Sequence, residues 1–144
     1  MINRKAFAVL GLALASLIAL PNAHASDFDQ ATKLTFSQAV QIPGRVLPAG
    51  TYWFMRDPNS NGQIVRVFNQ DRTQCYATLL TVSAEHQNPS DKTDITFAGR
   101  ESTQPEAIVT WFYPGETIGH EFIYSKRNQE EIAQAKQHTV HMGN

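Results

Sequence analysis

Histidine and carboxylate groups are the first place to look for chemistry in this 144-residue chain, which carries five histidines and thirteen acidic residues. His138 and His141 form an H-x-x-H pair, the spacing that sets two imidazoles on one face of a helix where they can hold a metal. Glu116, His120 and Glu121 fall in a turn and the first residues of a late strand, so a carboxylate and an imidazole could act there as acid and base or as two metal ligands. Strand alternation sends His120 and Glu121 to opposite faces, which leaves Glu116 to approach His120 across the loop from Gly115 to Gly119. Each pattern also has a plainer reading. The H-x-x-H pair reads as a solvated tail, Glu116 with His120 as a surface hydrogen bond, and His86 with Glu85 as a solvated loop.

The motifs that announce common enzymes do not occur: the chain has no G-x-S-x-G elbow, no H-E-x-x-H, no glycine loop for phosphate and no C-x-x-C. The expectation is therefore a protein that is not an enzyme and carries no cofactor, with metal binding at Glu116, His120, His138 and His141 as the alternative. Aromatic residues offer a different chemistry. Trp53, Tyr52, Trp111 and Tyr113, with Tyr124, sit in strand-like runs, where aromatic faces stack on sugars, wall an apolar pocket or fill a core. The first four are the candidate ligand-binding residues, and the exposure of Trp53 and Trp111 separates surface from core.

Residues 1–25 have the pattern of a secretory signal peptide: basic Arg4 and Lys5, an apolar run from Ala6 to Leu20, and Ala23-His24-Ala25 as a small-x-small cleavage site. The apolar run spans about 15 residues, short of the roughly 20 that a bilayer core requires, so no membrane span is expected after cleavage. No cysteine follows it to accept a lipid. The expected destination is the periplasm or the cell exterior. From Ser26 onward, ten basic residues stand against thirteen acidic ones, a formal charge of −3, and no stretch gathers enough Lys or Arg to track phosphates. Nucleic acid is excluded as a partner on that ground. Cys75 is the only cysteine, so no internal disulfide can form, and its place in an apolar run reads as a small buried side chain.

A single domain, residues 26–144, must therefore be held by packing alone. Leu34, Phe36, Val40 and Ile42 recur with period two and predict one half-buried strand over Lys33 to Ile42, ended by Pro43-Gly44. Thr51 to Arg56 carries large apolar groups on both faces, and Asp57 to Gly62 is dense in turn formers. Gln63 to Asn69 and Thr73 to Ser83 read as a hairpin, Ile95 and Phe97 mark a short strand, and Ala107 to Tyr113 and His120 to Tyr124 supply the last two. Asn128-Gln129-Glu130-Glu131 has the spacing of a helix start, predicting a short helix over 126–138 with a thin apolar face of Ile132 and Ala135, then a flexible tail over 139–144. Seven to eight strands with frequent turns and one helix predict an all-β fold, an antiparallel β-sandwich or small barrel.

The run Val46-Leu47-Pro48-Ala49-Gly50-Thr51-Tyr52, following an alternating strand, resembles a group of uncharacterised exported acidobacterial-type proteins that share an LPAGTY core. A hairpin like Ile64 to Leu80 and a late Ser125-Lys126-Arg127 leading into a short helix extend the resemblance from about Lys33 to about Ala135. It implies a β-rich exported domain and carries over no functional residue. The functional expectation is an exported, non-catalytic binding or interaction module at the cell envelope or beyond it, with an unknown protein, a glycan or a small apolar molecule as partner. The alternatives are a small enzyme or metal protein using Glu116 and His120, and a structural subunit that self-associates through a sheet edge.

Overall fold

The computed structural model describes residues 30–100 and 103–142; the expected signal segment and its cleavage site lie outside the described residues. Ten strands and one helix are present among them: β1 (Ala31–Phe36), β2 (Val40–Ile42), β3 (Arg45–Leu47), β4 (Gly50–Arg56), β5 (Ile64–Asn69), β6 (Cys75–Glu85), β7 (Thr93–Ala98), β8 (Glu106–Phe112), β9 (Ile118–Phe122), α1 (Lys126–Gln134) and β10 (Gln137–Met142). The fold is all-β with a short helix near the C-terminus, as the alternation predicts.

Two sheets share one long strand. The first half of β6, Cys75 to Leu80, pairs with β5 and extends the order β1-β4-β5-β6. Its second half, Thr81 to Glu85, pairs with β9 and continues β6-β9-β8-β7-β10. A strand that changes partner midway turns the corner between two face-packed sheets. β10 and β1 end the path unpaired with each other among the described residues, so the two sheets form a sandwich joined along one side and not a closed barrel. One pairing departs from the antiparallel expectation. β2 lies parallel to β8, Val40 opposite Glu106 and Gln41 opposite Ala107. The phenol of Tyr124 secures this junction by donating to the carbonyls of Gln41, 3.0 Å, and Ile108, 2.6 Å, and burial holds that phenol above its ordinary pKa range.

The single strand predicted over 33–42 is two strands in different sheets, separated by a bend at Ser37-Gln38-Ala39. Its period-two pattern survives the break because Leu34 and Phe36 in the first sheet and Val40 and Ile42 in the second all face the same core. Pro43 and the positive-φ Gly44 then turn β2 into β3, with Ile42 opposite Arg45, as a proline-glycine turn does. The LPAGTY run has a packing explanation: Leu47 is buried, and the Tyr52 hydroxyl donates to the Pro48 carbonyl at 2.6 Å, closing the loop that leads into β4.

Phe54, Trp111 and Phe122 meet at the centre, with ring centroids 6.3 Å apart for both Phe54 pairs, and Phe36 meets Phe97 edge-on across the sandwich. The C-terminal expectations need correction. α1 begins at Lys126, where it was expected, but ends at Gln134 rather than 138, with Ala135 already extended. Residues 139–142 of the expected tail belong to β10, which covers the edge of β7 from Gln137 opposite Ala98 to Met142 opposite Thr93. Only Ile132 anchors the helix in the core. Cys75 is exposed at the start of β6 and not buried, because the strand bulge between Val67 and Phe68 shifts its register there.

Candidate functional site

Three of the four aromatic candidates serve mainly the structure. Trp111 is 0% exposed, stacks on the His120 ring and donates its indole N–H to the Thr32 hydroxyl at 3.3 Å. Tyr52 is buried against Phe36 and Tyr76, and Tyr113 is half-buried and packs on the edge of the core. Trp53 alone lies on an outer face, that of the first sheet. Its ring is already occupied: the Arg72 guanidinium lies 3.6 Å above it, and its N–H donates to the Gln70 carbonyl at 2.9 Å.

The four metal candidates scatter. A β-strand sends residues three apart to opposite faces, so His138 and His141, expected on a helix, point away from each other across β10. His138 stacks on Phe97, with Nδ1 3.8 Å from Glu106. Glu116 and His120 do line one hollow, together with Arg56. His120 is buried on Trp111, and burial with the positive charge of Arg56 pushes its pKa down to about 4. The Thr81 hydroxyl donates to the Gly62 carbonyl and so accepts from His120 Nδ1 at 3.2 Å, which puts the ring proton on Nδ1. The same Arg56 charge that opposes an imidazolium opposes a metal cation there. Among the described residues, no group of three or more His, Cys, Asp or Glu could hold a metal ion.

A different constellation stands on the outer face of the second sheet. Strand register places Asp94 of β7, Phe112 of β8 and His141 of β10 in one row, with Thr96, Thr110, Thr139 and Glu121 in the next. Asp94 is only 4% exposed although it faces outward, because two imidazoles cover it. His141 lies with Nδ1 2.5 Å from Asp94 Oδ1. A carboxylate accepts, so His141 donates from Nδ1. On the other side His86 stacks on Phe112 with ring centroids 4.0 Å apart, and its Nε2 is 2.7 Å from the Glu116 carbonyl. A carbonyl also only accepts, so His86 donates from Nε2. In the neutral ring Nδ1 is then a lone pair, 4.0 Å from Asp94 Oδ2.

Asp94, His86 and Phe112 border an open hollow of about 490 Å³ whose lining also includes Glu85, Glu121, Thr96, Thr110 and Thr139, with no lysine or arginine among the described residues that form it. The Thr110 hydroxyl oxygen is shut off from solvent and has no hydrogen-bond partner among the described residues. Sequence reasoning missed Asp94 and took His86, with Glu85, for a solvated loop. An aspartate amid the strand run Thr93–Ala98 is a signal in itself, since strands are poor in Asp. His86 gave no comparable sign, because its role depends on Phe112 and Glu116, far away in the chain. No family model matches the chain, and neither the curated proteins nor the solved structures yield a match.

Proposed function

We propose that this protein is an exported, non-catalytic binding module and that the hollow on the outer face of the second sheet is its recognition surface. The observation that carries the reading is Asp94, a carboxylate buried on an outward face and fixed by His141 on one oxygen while the other opens toward His86. Burying a carboxylate costs free energy that an exposed strand position does not demand, and a preorganised acceptor is what such a cost sustains in a binding site. The pattern of residues 1–25 supports export, and no helix among the described residues is long and apolar enough to cross a membrane. The opposite outer face offers less, since Trp53 is already covered by Arg72.

The test is amide shift mapping on isotope-labelled protein with three probe classes: a primary amine, a carboxylate and a neutral sugar. The reading requires that at least one class perturb Asp94, Thr110 and Thr139 together. Perturbations confined to Trp53 and Phe68 on the first sheet contradict it.

A further inference from the structure

We propose that the hollow binds a primary aliphatic ammonium group, that of a lysine side chain or of a free alkylamine; this rests on the reading above that the hollow is the recognition surface. Three observations select the ligand class. Charge is the first: Glu85, Asp94 and Glu121 line the hollow, and no lysine or arginine accompanies them among the described residues. Hydrogen bonding is the second. Asp94 Oδ2 makes no hydrogen bond among the described residues, and the group facing it, His86 Nδ1, carries a lone pair in the neutral ring, whose one proton is committed to the Glu116 carbonyl. Two acceptors thus face each other at 4.0 Å, too far for a direct hydrogen bond. One donor nitrogen between them reaches both at roughly 2.9 Å.

The third observation is rigidity. The His86 ring is stacked on Phe112 and tied at Nε2, and Asp94 is tied at Oδ1 by His141, so the acceptors are held in place before a ligand arrives. A water supplies two donors and no charge, whereas an ammonium supplies three donors and neutralises the carboxylates. Glu121, opposite Thr110 on β9, is a further carboxylate of the lining to share that charge. A quaternary ammonium has the charge without the donors and does not satisfy the facing pair.

The experiment is a titration of the purified protein, read by calorimetry and by amide shifts, with Nα-acetyl-lysine methylamide, 1,4-diaminobutane, tetramethylammonium, acetate and glucose. Binding of either amine, with shifts at Asp94, Thr96 and Thr110 and none from tetramethylammonium, supports the proposal, and the tighter of the two amines identifies the source. Glu121→Gln and Asp94→Asn each weaken the amine by about tenfold. Glu121→Gln is the guard against misfolding, because Glu121 is half-buried and makes no ion pair among the described residues. Equal binding of tetramethylammonium, or amine binding unchanged in both variants, overturns the proposal. Shifts at the hollow from acetate or glucose alone overturn the ammonium class and leave the recognition surface standing; no shift there from any probe overturns both.

Discussion

His120 shows how far the fold moves a single residue from its free behaviour. Its pKa falls from 6.5 to about 4 in the folded chain, so protons bind the unfolded state first. The sign follows: stability is at its full value above about pH 6.5 and declines as the pH drops toward 4, by about 2 kcal/mol at pH 4.5. Urea denaturation at pH 7.5 and 4.5 checks this, with His120→Gln expected to lose less on acidification than the parent. The tautomers are a second prediction at this scale. Imidazole nitrogen NMR at neutral pH should find His86 protonated on Nε2 and His141 on Nδ1, and the reverse assignment for His86 removes the facing acceptors. The sequence pointed to His141, Glu116 and His120 as residues with chemistry, and it paired His141 with His138, which the strand β10 turns to the other face. His141 was legible by type, while its partner Asp94 lies 47 positions away and meets it only through the pairing of β10 with β7.

At the scale of elements, period-two alternation located most strands, because a half-buried strand must alternate whatever its neighbours are. It did not reveal that Leu34 to Ile42 bends between sheets, since both halves face one core and the pattern passes through the bend unchanged. It also did not reveal β10. Gln137 to Met142 is polar on its outer positions and weakly apolar on the inner ones, so the strand exists because β7 offers it an edge and not because of its own composition. Removing residues 137–144 should therefore expose Ile95 and Phe97, increase binding of a hydrophobic dye and accelerate amide exchange in β7. Gly119, at the head of β9, has no room for a side chain: a Cβ there would lie 2.6 Å from the Trp111 carbonyl and 2.5 Å from the Phe112 ring. Gly119→Ala should destabilise the protein by about 2 kcal/mol, measured by urea denaturation, since backbone on one side cannot yield.

For the molecule as a whole, the sandwich divides the labour between its faces. The inner faces take the aromatic residues, with Trp111 and Phe54 at their meeting point, which is why Tyr52 and Trp111 are unavailable to a ligand. The outer face of the second sheet takes carboxylates, hydroxyls and two imidazoles drawn from β7, β8, β9, β10 and the loop after β6. The all-β class was legible because it depends on local patterns. The recognition surface was not, because five separated segments contribute to it and no one of them carries a motif. The most direct test of the account is a crystal structure of the protein with whichever of Nα-acetyl-lysine methylamide and 1,4-diaminobutane binds more tightly. The account predicts the ammonium nitrogen within hydrogen-bond reach of Asp94 Oδ2 and His86 Nδ1, with Glu121 turned toward it. An empty hollow, or the amine bound against Trp53 on the opposite face, contradicts it.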